Sequence, residues 1–122
     1  MAAPRPLEIR LKKDRRTLCV SFDNGEAADL SAEYLRVMSP SAEVQGHSPD
    51  QRQTVGGKRN VEIIKLEPVG HYAIRIVFDD LHDTGIFSWP YLLDLGREHA
   101  QYWARYLGEL EEKSLSRDPP GR

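Results

Sequence analysis

The run Asp79-Asp80-Leu81-His82-Asp83 sets an imidazole among three carboxylates. Carboxylate oxygens and a histidine nitrogen are metal ligands, and the same groups can pass protons. A short turn of acids is more often simply solvated, so the run offers weak metal handling through His82 and its acids as one alternative. The other histidines, His47, His71 and His99, add no helical pair four residues apart, the spacing of a zinc motif. Ser88 sits in Phe-Ser-Trp-Pro-Tyr and lacks the flanking glycines of a nucleophile elbow. Val55-Gly56-Gly57-Lys58-Arg59-Asn60 is too short for the glycine-lysine frame that wraps a phosphate. Cys19 is the single cysteine, which excludes an internal disulfide and a four-cysteine zinc site. No nucleophile–base constellation emerges, so a small enzyme with an unrecognised site is the weaker alternative.

The elements that would have to hold these residues follow from periodicity. Leu7, Ile9 and Leu11 alternate with Glu8, Arg10 and Lys12, and Leu18, Val20 and Phe22 share a face in the next run. This is strand patterning, with Lys13-Asp14-Arg15-Arg16 as the hairpin turn. Asn24-Gly25 is a further turn signal. Ser31 caps a short helix carrying Tyr34, Leu35 and Met38, which Pro40 stops. The polar, glycine-rich stretch 40–60 reads as a long loop with one helical turn at 41–44. Two strands follow around the turn Pro68-Val69-Gly70, with Tyr72, Ile74, Ile76 and Phe78 on one face, and then a short strand at 84–89. Ser88 and Pro90 open a helical region, in which Gly96 separates a short helix from a longer one. Tyr102, Trp103, Tyr106, Leu107 and Leu110 form its apolar stripe, read as core.

Hairpins followed by a covering helix predict an α+β fold of two layers, a small antiparallel sheet with helices on one face. The chain of 122 residues fits one domain over 7–113, with a flexible N-terminus at 1–6 and a disordered tail at 114–122. Its 39% hydrophobic content supports a modest core. A net charge of −2 with interleaved signs gives no footprint for nucleic acid or membrane. No signal-peptide core is visible, so the expected setting is cytoplasmic. Oligomeric state is left open.

Four stretches then carry a resemblance: the opening hairpin, Leu35 to His47 (LRVMSPSAEVQGH), Gly57 to Asp80 (GKRNVEIIKLEPVGHYAIRIVFDD) and His82 to Gly96 (HDTGIFSWPYLLDLG). In this order and spacing, over roughly residues 7 to 106, the chain resembles the gamma-butyrobetaine hydroxylase N-terminal-like domains. That family occurs before the catalytic barrel of carnitine-pathway dioxygenases, fused to P-loop iron–sulfur carrier ATPases, and as small stand-alone bacterial proteins, which this chain looks like. In the dioxygenase members the resemblance implies a zinc ion held by three cysteines and a histidine. Carried over, these positions fall at Ser39, Ser41, Val44 and His82. Hydroxyls and a valine do not replace thiolates, so the expectation is a lost zinc site and no cofactor. The dioxygenase facial triad belongs to a separate barrel that residues after 106 are too few to build. The resemblance therefore implies a non-catalytic accessory domain that docks on a protein partner, with iron–sulfur assembly or carrier proteins suggested by the fusions. The expected contact surface comprises His47, Lys58, Arg59, His82 and Trp89.

Overall fold

A computed structural model describes residues 3–46 and 48–119. The fold is α+β, and its strands divide into two antiparallel sheets of three rather than one. In chain order the elements are β1 (Pro6–Leu11), β2 (Thr17–Phe22), β3 (Ala27–Ser31), α1 (Ala32–Val37), α2 (Ala42–Gln45), a 3₁₀ turn at Pro49–Gln51, β4 (Ile63–Val69), β5 (Ala73–Phe78), β6 (Gly85–Ser88), α3 (Trp89–Arg97) and α4 (His99–Glu112). The sheets are ordered β1-β2-β3 and β4-β5-β6, so each is a simple meander.

The alternating faces are the ones the core needs. Leu18, Val20 and Phe22 of β2 and Ile74, Ile76 and Phe78 of β5 are buried, each on the central strand of its sheet. Leu30, Phe87, Leu92, Leu95, Tyr106 and Leu110 join them in one cluster. The helices begin where hydroxyls cap them: Ser31 Oγ accepts from Tyr34 N–H at 3.0 Å, and Ser88 Oγ from Tyr91 N–H at 3.3 Å.

Four details depart from the periodic reading, the first being Tyr72, which precedes β5 and is 61% exposed rather than sharing the buried face of Ile74. Leu7 is 75% exposed because the β1–β2 register shifts between Pro6 and Glu8. A bulge there turns its side chain away from the face of Ile9 and Leu11. Strand β3 arises in a stretch of alanines and acids of low strand propensity. The Asn24-Gly25 hairpin, with Gly25 at φ 90°, returns the chain so that Leu30 pairs with Leu18. The apolar stripe of α4 buries Tyr106 and Leu110, whereas Trp103 is half-buried and Leu107 is 40% exposed.

Both ends of the described chain are tied into the fold. Arg5 O accepts from Asp23 N–H at 2.9 Å, just before β1. After α4, where a disordered tail is expected from Ser114, Ser116 O and Arg117 O accept from Gly57 N–H and Arg59 N–H at 2.8 and 2.9 Å. The long loop is likewise pinned to α4. Tyr106 Oη donates to Val55 O at 2.6 Å, and Lys113 Nζ donates to Thr54 Oγ1 at 2.9 Å.

Candidate functional site

The β5–β6 connection and the start of the long loop meet in a buried polar node. Phe78 N–H donates to His82 O at 3.0 Å and Leu81 N–H to Phe78 O at 3.3 Å, closing a tight turn. Asp80 Oδ1 accepts His82 N–H at 3.2 Å, which fixes the imidazole's origin. The ring points inward and is 4% exposed. Its Nε2 lies 2.8 Å from Ser39 Oγ, and its Nδ1 lies 3.3 Å from Glu43 Oε2. The second distance permits an ion pair, although Nδ1 has no hydrogen-bond partner of good geometry. A proton on Nδ1 facing the carboxylate leaves Nε2 to accept from the Ser39 hydroxyl. Ser39 Oγ in turn accepts Ser41 N–H at 3.3 Å, and Ser41 Oγ is 2.6 Å from Thr84 Oγ1, which donates to Glu43 Oε1 at 3.1 Å.

A glycine at 85 is required by this arrangement. A Cβ there would lie 2.6 Å from Ser39 Oγ and 3.0 Å from the Phe87 ring. The Gly in the quoted Asp-Thr-Gly-Ile run is thus a close-approach glycine.

The connectivity Ser39–His82–Glu43 is that of a nucleophile, a base and an orienting acid. Its burial argues against that chemistry, since Ser39 is 0% exposed and its hydroxyl is held between His82 and Ser41. The pKa of His82 is pulled below its ordinary value by burial and by Arg36, against the opposing pull of Glu43 and Asp80. A zinc ion does not fit either. Ser39, Ser41 and His82 do converge, and Val44 is buried in α2 with its N–H 3.0 Å from Ser41 O. Yet the hydroxyls bond to the histidine and to Thr84, and Val44 offers no donor. Among the described residues no group of three or more His, Cys, Asp and Glu could hold a metal ion.

On the outer side of the same turn, Asp80 Oδ2 receives Arg36 Nε at 2.8 Å and Lys58 Nζ at 2.5 Å. Burial alone would raise the Asp80 carboxyl, but these two cations outweigh it and hold the pKa below the usual value. Asp79 Oδ1 accepts Glu62 N–H at 3.1 Å, and Asp79 N–H donates to Glu62 O at 2.9 Å. Leu81 stands at the tip, 89% exposed and at φ 73°.

Of the residues expected to form the contact surface, Lys58 and the 79–83 turn share one end of the second sheet. Arg59 is exposed and paired with Asp118. His82 is part of the interior rather than the surface. Trp89 lies at the opposite end, by the β4–β5 hairpin, where its N–H meets Tyr72 O at 3.1 Å and its indole donates to His71 O at 2.8 Å. With Arg5, Leu7 and Gly70 it lines an open cleft. His47 lies outside the described residues. Leu81, exposed at the tip, is not among the expected contact residues; the signal available was one large aliphatic residue inside an acidic run. Cys19 remains an ordinary thiol, pushed up by burial and by Asp29.

This geometry defines a small α+β domain with a hydrogen-bonded buried node and an exposed turn held by hydrogen bonds and ion pairs. The model of the gamma-butyrobetaine hydroxylase-like N-terminal family matches residues 9–93, and the chain belongs to that family. Two solved proteins, both NMR solution structures, are similar over nearly the whole chain. One has 44% identity and a TM-score of 0.83, covering 99% of this chain and 95% of its own. The other has 46% identity and a TM-score of 0.82, covering 96% and 87%. A crystal structure of a DUF971-family protein of unknown function from Acidithiobacillus ferrooxidans ATCC 23270 is 40% identical. It has a TM-score of 0.63 and covers 75% of this chain and 92% of its own. No curated protein matches the chain.

Proposed function

We propose that the domain is a non-catalytic docking module whose contact surface is the 79–83 turn with Lys58 beside it. The observation that carries this is Leu81, 89% exposed on a turn held from both sides. A branched side chain at φ 73° costs about 1–2 kcal/mol relative to the right-handed region. Exposure to water returns none of that cost, and backbone strain of this kind collects at functional positions. An apolar anchor rimmed by Asp79, Asp83 and Lys58 suits a protein partner offering an apolar socket with a polar rim.

Enzyme chemistry finds less support, because Ser39 is closed to solvent. Metal handling finds less support because His82 Nε2 is already engaged by Ser39. The link to iron–sulfur assembly or carrier proteins, and the cytoplasmic setting, rest on the family's fusions and on the residue pattern. Among the described residues no helix is long and apolar enough to cross a membrane. The test is binding of the purified chain to a purified P-loop iron–sulfur carrier ATPase, followed by calorimetry. Leu81→Asn should stabilise the free protein, since Asn tolerates this backbone region, and weaken binding at least tenfold. Equal affinity of the variant would remove Leu81 from the surface, and absence of binding by the wild type would remove the iron–sulfur partner.

A further inference from the structure

A second built site lies under the C-terminal strap. Glu33, in the first turn of α1, is 6% exposed. A carboxylate so enclosed requires a cation. Arg117 supplies one from far along the chain, with Nε 2.8 Å from Oε2 and Nη2 2.7 Å from Oε1, fork to fork. The same guanidinium lies over Trp103, 5.1 Å from the ring centroid. Behind that ring stand Tyr106 at 5.3 Å and Tyr34 at 6.1 Å between centroids. The receiving side of this contact belongs to the core, since Tyr34 and Tyr106 are 0% and 2% exposed.

The occupant is the more exposed partner, its side chain 30% exposed against 7% for that of Glu33. Ser114 turns the chain at φ 55°, and Leu115 is 44% exposed. The strap then accepts main-chain bonds from Gly57 and Arg59, in a loop with no regular structure of its own, and Asp118 pairs with Arg59. The contact resembles a short extended peptide lying in a site.

We propose that Glu33 and the Trp103 face form a binding site for an arginine side chain on an extended protein segment, and that Arg117 is its displaceable occupant. The strap defines the ligand's chemistry: two carbonyls to accept from Gly57 and Arg59, an arginine between them and the core, and an acid immediately after it to meet Arg59. Any segment that displaces Arg117 must bring its own cation, because a segment lying in the same place buries the Glu33 carboxylate again. A planar fork that also stacks favours arginine over lysine. This inference goes beyond the docking surface at Leu81 and holds or fails independently of it.

The test uses full-length Arg117→Gln and the synthetic peptide Ser-Leu-Ser-Arg-Asp-Pro-Pro, the sequence from Ser114 onward. The NMR signal of the Trp103 indole N–H is followed, with Trp89 as the internal control. The expected result is a saturable shift at Trp103 alone, at least tenfold weaker with lysine in place of the peptide's arginine. The shift should be lost in the Glu33→Gln, Arg117→Gln double variant, and the wild type should resist the same peptide. A folded Arg117→Gln protein with no shift at millimolar peptide overturns the proposal, as does binding indifferent to arginine or to Glu33. Hydrogen exchange on the wild type supplies a second reading. The Gly57 and Arg59 amides should exchange at least a hundredfold faster than those of β5 if the strap opens locally. Equal protection, or unfolding of Arg117→Gln, makes the strap an integral part of the fold and refutes displacement.

Discussion

Ser39→Ala is the most direct probe of the buried node. The hydroxyl lies 2.8 Å from His82 Nε2 and also accepts Ser41 N–H at 3.3 Å. Its removal forfeits one buried hydrogen bond outright, a net loss of about 1 kcal/mol. It also leaves the imidazole nitrogen without a partner. At 4% exposure of His82 and 0% of Ser39, water does not readily take the hydroxyl's place, so a further cost of about 1–2 kcal/mol is expected. The sum is about 2–3 kcal/mol, which for a domain of this size lowers Tm by about 10 °C. Urea unfolding should show a lower midpoint at unchanged slope. Adding His82→Leu removes the orphaned nitrogen as well, so the double variant should cost less than the sum of the two single ones by about 1 kcal/mol or more. A loss below about 0.5 kcal/mol for Ser39→Ala, with no coupling to His82, would refute the reasoning, because it would mean that the pair contributes nothing.

Gly85→Ala should destabilise by about 1–3 kcal/mol, since the new methyl meets Ser39 Oγ at 2.6 Å; paired with Ser39→Gly, part of that loss should be recovered in the same unfolding assay. Tyr106→Ala should cost about 3–5 kcal/mol and Trp103→Ala less, because Tyr106 is 2% exposed and Trp103 only half-buried; equal losses would place Trp103 in the core after all. The depressed pKa of His82 means that the unfolded chain binds a proton that the fold refuses. Stability should therefore fall as pH drops below about 6.5, and His82→Gln should flatten that part of the profile measured by unfolding at pH 5 to 7.5.

Local pattern was enough for elements and caps, because each depends on neighbours a few residues away. The faces of β2 and β5, and the serines that open α1 and α3, could be read in that way. Strand β3 could not, since Ala27-Ala28-Asp29 has little strand propensity and becomes a strand only by pairing with β2. Leu7 followed the right alternation onto the wrong face because a single bulged residue inverts the pattern. The stripe on α4 named the right helix face, but its depth is set by what covers it, and Trp103 meets Arg117 rather than core side chains alone.

The polar sites lay further out of reach. Ser39 and His82 are 43 residues apart and Glu33 and Arg117 are 84 apart, so no spacing rule joins them. The resemblance sets 39, 41 and 82 at ligand positions of one site, and the structure brings these three side chains together; no such guide joins Glu33 to Arg117. The acidic run around His82 then resolves into two halves with opposite roles. Its inward half, His82 with the hydroxyls of Ser39, Ser41 and Thr84, locks the loop to the sheet and asks for glycine at 85. Its outward half, Asp79 and Asp80 bound to Glu62, Arg36 and Lys58, holds Leu81 in a strained, exposed position. The rigidity of the first half makes the exposure of the second meaningful: a leucine on a loose loop would fold back onto apolar surface, whereas here the turn leaves it facing water.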